Sequence, residues 1–359
     1  MEGVELMRDL EFYRGKRVFV TGHTGFKGAW LCRILVGAGA EVTGYALPAP
    51  TQPNLFELAG LEGKMASVLG DIRDFDALFA AFQEARPEIV LHLAAQPIVR
   101  DSYKDPAGTY ETNVMGTVNI LECVRRTPGV VSFLNVTTDK VYHNNEWVWG
   151  YREDEPLDGF DPYSNSKSCS ELVTHSYRNS FFTGASAPAI STARAGNVIG
   201  GGDFANDRII PDCVRAVQSG EALGVRNPHS TRPYQHVLEP LSAYLLIAQR
   251  QHENSDLAGG YNVGPDSGGC LTTGALAELF CQAWGEGARW EHTGRQGPHE
   301  DAVLKLDCSK IGTVLGWRPR WDVERAVRET VDWTKAWMDG QNIPDYMERH
   351  IRGYFNEPV

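Results

Sequence analysis

Apolar positions along the chain alternate between short solid blocks and longer stretches in which they recur every three or four residues. Arg17–Thr21 (RVFVT) is a compact, β-branched block that ends directly in a glycine-rich turn, and residues 29–38 then have helical composition, so strand, loop and helix follow one another. The alternation continues with a strand over 41–47, a helix over 74–86, a buried strand over 88–93 (EIVLHL), a helix over 113–126 and a strand over 130–136. This order predicts an α/β fold, a doubly wound parallel sheet with helices on both faces and right-handed crossovers. From about Ser191 the pattern breaks into loops rich in Gly, Pro and Arg, with helices expected at Ile209–Ser219, 240–252 and Thr273–Trp284. That half reads as a smaller, less regular lobe.

The glycine-rich turn is TGHTGFKG (21–28), placed between the first strand and the first helix. Gly22, Gly25 and Gly28 suit a tight turn, close approach of backbone to a pyrophosphate and close helix packing, while the helix start at Phe26 presents free N–H groups to phosphate. The GxxGxxG spacing is one residue wider at its start than the usual dinucleotide fingerprint. After the second strand comes Tyr45-Ala46-Leu47-Pro48, without an acid for the ribose hydroxyls or an arginine for a 2′-phosphate, so NAD is expected and NADP is the lesser alternative. Asp71-Ile72 stands either against an adenine ring or at a helix N-cap. Ala94-Ala95 is small enough to let a cofactor lie against the sheet edge.

Tyr163 and Lys167 are four residues apart in YSNSK, on one face of a helix expected from Pro162 to about Asn179. A phenol is a poor base at neutral pH, but a neighbouring ammonium and a nicotinamide charge favour the phenolate. Thr138, Asp139 and Lys140 follow a strand and so sit at a carboxyl edge, where open α/β sheets bind ligands. Thr138 is either a partner of the tyrosine and a substrate hydroxyl or a plain strand end. Asp139 and Lys140 are either an acid and a base in a cleft or a solvated turn.

Composition narrows the partners. The 359 residues carry 46 acidic against 34 basic side chains, a net charge of −12, with no long basic run, which argues against nucleic acid and an anionic membrane. Seven dispersed cysteines without a CxxC pair disfavour a disulfide framework and a zinc site, so no metal is expected and a reducing cytoplasm is. Residues 1–15, interrupted by Glu2, Glu5, Asp9 and Glu11, have no apolar stretch of signal-peptide length, and no later run approaches a membrane span. An anionic ligand must therefore be held by local arginines. Arg232 in TRPYQHV, Arg208 and Arg295 stand in loop-like surroundings and suit bidentate phosphate contacts, with Asn197 in the GNVIGGGD turn beside them.

Taken together, TGHTGFKG, HLAAQ (92–96), NVMG (113–116), TTDKVY (137–142), YSNSK and RAGNVIGGGD (194–203) resemble the extended short-chain dehydrogenase/reductases, and among them the nucleotide-sugar 4,6-dehydratases. PTQPNLFE (50–57), WGYRED (149–154) and TRPYQHV (231–237) are similar to the branch acting on CDP-glucose. The resemblance implies a modified Rossmann domain over 14–193 with returning elements from about 230–265, and a C-terminal lobe for a sugar nucleotide over 194–229 and 266–350. It implies a homodimer or dimer of dimers through the segments 106–126 and 163–179. It also implies roles: Tyr163 takes the 4-hydroxyl proton, Asp139 donates to the departing 6-hydroxyl, and Lys140 either removes the C5 proton or stabilises an enolate. Gln96 is placed among the substrate contacts. The better-known dehydratases have Glu where this chain has Lys140. An epimerase, a dehydratase for another base and, more distantly, a non-catalytic nucleotide sensor remain the alternatives.

Overall fold

The computed structural model describes residues 8–184, 186–294 and 301–357. Seven parallel strands form the central sheet: β1 (Arg17–Thr21), β2 (Glu41–Ala46), β3 (Ala66–Leu69), β4 (Ile89–His92), β5 (Ser132–Thr138), β6 (Ala189–Ala195) and β7 (Gly260–Val263). Their spatial order is β3-β2-β1-β4-β5-β6-β7, so the direction of winding reverses between β1 and β4. At that switch point the carboxyl ends diverge and leave a crevice for ligand. Thr21 pairs with His92 there, and the Thr21 hydroxyl meets His92 Nδ1 at 2.7 Å, which keeps both strand ends level.

The longer helices are α1 (Phe26–Gly37), α2 (Phe75–Ala85), α3 (Gly116–Arg126), α4 (Pro162–Phe181), α5 (Ile209–Ser219), α6 (Leu238–Glu253), α7 (Thr273–Trp284), α8 (Val323–Met338) and α9 (Ile343–Asn356). One face of the sheet is covered by α1, α6 and α9, the other by α2, α3 and α4, each with its own apolar core. A third core, built from α5, α7 and α8 with Leu223 and Val225, holds the smaller lobe together. This is the expected α/β architecture, with one boundary placed differently. α9, counted with the lobe to residue 350, packs on α1 through Ile343, Met347, Ile351, Tyr354 and Phe355. Their spacing makes one apolar stripe that has to be buried, and α1 offers the matching surface.

Strand β5 is buried along its whole length although it reads SFLNVTT. Two of its polar residues are held by α4: Asn135 donates to Ser170 and Thr174, both at 2.9 Å, and Thr137 donates to Glu171 at 2.5 Å. Glu171 also accepts from Thr192 at 2.8 Å and from Arg194 at 2.9 Å, with both members of this ion pair buried. The cluster fixes α4 against β5 and β6, and α4 carries Tyr163 and Lys167. Replacing Glu171 by Ala leaves the Arg194 charge buried without its counter-ion, so a loss of about 3–5 kcal/mol is expected from urea unfolding. A change below about 1 kcal/mol would mean that Arg194 finds compensation from Tyr142 and the Glu153 carbonyl alone.

Where α9 meets the lobe, His350 stacks on His236 at 5.2 Å, between Trp30 and Trp321. Burial pushes His350 from its ordinary value of 6.5 down to about 4, although a Glu329 oxygen stands 3.5 Å from its Nε2. Because the fold favours the neutral ring, the stability it contributes is complete above pH 6.5 and is lost as pH falls toward 4. The loss amounts to roughly 3 kcal/mol. His350→Phe should flatten this acid limb in denaturant titrations, and an unchanged slope would assign the loss to other groups.

Candidate active site

A cleft of about 840 Å³ opens at the carboxyl ends of β4, β5 and β6 and runs out between α5 and the Leu223–Val225 strand. Its inner end is lined by Lys27, Thr138, Asp139, Lys140 and Tyr163, and its outer part by Asn197, Arg208 and Arg232. Residues from three separate motifs of the sequence therefore meet in one space.

The turn after β1 is shaped by what glycine lacks. Gly22 adopts φ +78°, and a Cβ there would stand 2.8 Å from the Ala94 backbone nitrogen. A Cβ on Gly28 would stand 2.1 Å from the Gly22 carbonyl oxygen, so the first helical turn rests directly on the loop. Helix α1 begins at Phe26 with Gly25 as N-cap and no side chain capping it, which leaves N–H donors at the positive end of the helix for an anion. Ala94 lies against this turn, its N–H donating to the Thr21 hydroxyl at 3.1 Å. These features fit a dinucleotide pyrophosphate. Asp71 is not a helix cap, a role taken by Asp74. Its carboxylate accepts from the Arg73 backbone at 2.9 Å and from the guanidinium at 2.6 Å, and Arg73 holds it below the usual carboxylate range. Ile72 is buried against Gly116.

Strand β5 extends two residues further than the apolar pattern indicated and ends at Thr138, followed by a 3₁₀ turn over Asp139–Val141. The Thr138 hydroxyl accepts from the Lys140 N–H at 3.4 Å and donates to Asp139 Oδ1 at 3.0 Å. Asp139 is 2 % exposed, and burial raises its carboxyl above the usual range against the opposing pull of Lys140, the Thr138 hydrogen bond and Arg232. Its Oδ2 has no hydrogen-bond partner among the described residues. A carboxyl kept toward its neutral form, with one oxygen free, is arranged as an acid.

On α4, whose N-cap Asp161 accepts from Ser164 N–H at 3.0 Å, Tyr163 and Lys167 face the end of β5. Lys167 donates to the Val136 carbonyl at 3.1 Å. Burial pushes Lys167 down to about 7, helped by Lys27 and opposed by Glu171. Burial also pushes Tyr163 up to about 12, although its hydrogen bond to Thr138 and the charge of Arg208 act the other way. Burial thus draws both groups toward their neutral forms.

The remaining expected contacts divide. Arg208 is the more open arginine, with a third of its side chain exposed and Nη1 3.2 Å from Asp203 Oδ2. Arg232, 6 % exposed, donates to the Thr231 and Asp301 carbonyls at 2.8 and 2.7 Å and sets a positive charge beside Asp139. Asn197 lines the cleft. Gln96 uses its amide to brace its own loop, donating to Ile98 and Thr109 and accepting from the Ile98 N–H, while Asn113 from a π-helical turn holds its backbone. It faces its own loop rather than offering a free amide to a sugar. Arg295 falls outside the described residues.

Lys27 was not anticipated. It is pushed down to about 8, first by burial and then by Arg208, with Asp139 and Asp203 opposing. The sequence carried one signal for it, a lysine in the first turn of a helix, where the dipole disfavours a cation. Also unforeseen is the 2.7 Å ion pair of Arg100 with Asp207, which joins the two walls of the cleft. Among the described residues no group of three or more His, Cys, Asp or Glu is placed to hold a metal, and no helix is long and apolar enough to cross a membrane.

Residues 19–330 match the family described as GDP-mannose 4,6 dehydratase. The chain is 50% identical to the CDP-glucose 4,6-dehydratase of Salmonella typhimurium strain LT2, over 98% of this chain and 99% of that protein. It is 30% identical to the dTDP-glucose 4,6-dehydratase of Streptomyces antibioticus, over 90% and 94%. Among solved structures, the UDP-glucose 4-epimerase of Thermus thermophilus in complex with NAD superposes with a TM-score of 0.77 at 26% identity, covering 89% of this chain and 98% of that one.

Proposed function

The chain belongs to the GDP-mannose 4,6-dehydratase family, and we propose that within it the protein removes water from CDP-glucose to give CDP-4-keto-6-deoxyglucose, with NAD as resident cofactor. The observation that carries this reading is Asp139, a buried carboxyl held toward its protonated form beside the Tyr163 and Lys167 pair. Inversion at C4 needs no acid at that place, whereas loss of a C6 hydroxyl does. Identity over nearly the full length with the Salmonella protein supports the choice of CDP-glucose.

The glycine turn, the uncapped start of α1 and the Ala94-Ala95 wall are the residues that would hold NAD, with Asp71 and Ile72 toward the adenine side. When bound, NAD supplies the oxidant at C4 and the reductant at C6. The protein supplies the proton transfers. Tyr163 takes the proton of the 4-hydroxyl; its phenolate requires a positive neighbour, which protonated Lys167 provides and a bound nicotinamide strengthens. The C4 ketone makes the C5 hydrogen acidic. Lys140, in the same cleft, stands at C5 as base or as electrostatic support for the enolate, and Asp139 protonates the oxygen leaving C6. Arg208, Arg232 and Asn197, with Arg295, are proposed for the diphosphate and ribose.

We further propose that the protein works in the cytoplasm, where its seven free cysteines stay reduced. A homodimer is proposed through the face of α3 and α4, where Met115, Leu172 and Phe181 leave apolar surface exposed.

The test is to incubate the protein with NAD and, separately, the glucose conjugates of CDP, dTDP, UDP and GDP, and to weigh the products by mass spectrometry. Loss of one water from CDP-glucose alone is expected. A rearranged sugar of unchanged mass would replace the reading by epimerisation, the activity of the structurally similar Thermus protein; water lost from another conjugate would correct the base.

A further inference from the structure

Three arginines on the walls of the cleft are each paired with an aspartate that also lines it: Arg208 with Asp203 at 3.2 Å, Arg215 with Asp212, and Arg100 with Asp207 at 2.7 Å. The first two pairs lie within the segment 203–215. In the third the arginine comes from the opposite wall, on the short helix Val99–Lys104 that follows β4. We propose that Arg100 is a further ligand of the substrate's diphosphate, reaching it from the Rossmann wall while Arg208 reaches it from the lobe, and that Asp207 holds the Arg100 guanidinium in place for this contact. The inference rests on the nucleotide-sugar reading and adds to it a binding residue and its positioning partner.

The ion pair uses only part of the guanidinium. Nη1 donates to Asp207 Oδ1, while Nε and Nη2 have no partner among the described residues. The planar fork therefore keeps N–H donors for a phosphate oxygen pair, the geometry in which arginine binds phosphate most firmly. Asp207 and Arg208 are consecutive, so the pair ties Arg100 to the very loop that carries Arg208. A diphosphate has two charged groups, and one arginine from each wall meets both.

Stability does not account for the pair. The Arg100 and Asp207 side chains are 33 % and 34 % exposed, and an ion pair this open to water adds little to a fold. Asp207 also holds φ at +59°, a left-handed conformation that residues with a Cβ enter at a cost and that recurs at ligand clamps. An unpaired carboxylate in this cleft would repel a diphosphate. With Arg100 on it, the same carboxylate orients a donor and no longer opposes the ligand.

Calorimetric titration of the NAD-loaded enzyme with CDP tests this without any turnover. Arg100→Gln is expected to raise the Kd of CDP by roughly 10- to 100-fold, and to raise KM for CDP-glucose more than it lowers kcat. Part of that loss comes from Asp207, left without its counter-ion. The double variant Arg100→Gln/Asp207→Asn removes that part, so it should bind CDP more tightly than the single variant, yet still about 10-fold more weakly than the wild type. Arg100→Lys keeps the charge but not the fork and should fall between the wild type and Arg100→Gln; it is read in its place if the glutamine variant loses thermal stability. Full recovery of CDP affinity in the double variant would overturn the proposal, because Arg100 would then only mask Asp207. So would an Arg100→Gln variant that binds CDP as the wild type does. A wild-type protein that binds no CDP would overturn the substrate reading itself, and the inference with it, before any substitution is made.

Discussion

Tyr163→Phe is expected to reduce turnover by about 10²- to 10⁴-fold while leaving NAD affinity and the thermal midpoint near those of the wild type. The phenol does not hold up the fold: its helix is fixed by the Asp161 cap and by the Glu171 cluster, and neither touches the Tyr163 hydroxyl. What the substitution removes is the acceptor for the 4-hydroxyl proton, and the neutral Thr138 hydroxyl nearby is too weak a base to replace it. Equilibrium titration with NAD and steady-state assay of product mass check the two halves. Turnover within a few fold of the wild type would take Tyr163 out of the chemistry.

The second large effect is expected at Asp139. Asp139→Asn keeps shape and hydrogen bonding but has no proton of suitable acidity to give, so water loss should fall by about 10²- to 10⁴-fold. The earlier steps should survive. In deuterated solvent the variant is expected to exchange the C5 hydrogen of recovered substrate while forming little product, which proton magnetic resonance can follow. Lys140→Met should give the reverse pattern if Lys140 is the C5 base, with exchange and elimination lost together. Rapid product formation by Asp139→Asn would show that the leaving oxygen is protonated from elsewhere.

Several features of this site were readable as a string of letters, and others were not, for reasons that differ residue by residue. Tyr163 and Lys167 were legible because i and i+4 share a helix face whatever the rest of the protein does. The glycine turn was legible because the need for φ above zero at Gly22 and for no side chain at Gly28 is a local requirement that only glycine meets. Asp139 was ambiguous, since an acid followed by a lysine at a strand end is a solvated turn in most settings; packing from Gly196 and Arg232 decides that it is buried. Lys27 passed unnoticed because its neighbours Asp139, Asp203 and Arg208 lie more than a hundred residues away along the chain. Gln96 was expected at the sugar, yet the nearby carbonyls and hydroxyls of its own loop claim its amide first.

The amino-acid sequence by itself therefore determined the strand and helix alternation, the phosphate turn and the pairing of phenol with ammonium. All of these follow from short-range sterics and from periodicities of two and 3.6 residues. Only the tertiary structure decided the protonation tendencies of Asp139, Lys167 and Tyr163, the burial of Asp139 under its Thr138 hydrogen bond, and the place of α9 on α1. Those depend on which distant segments exclude water from a given atom, and the cost of a charge is set by that exclusion rather than by the residues beside it in the chain.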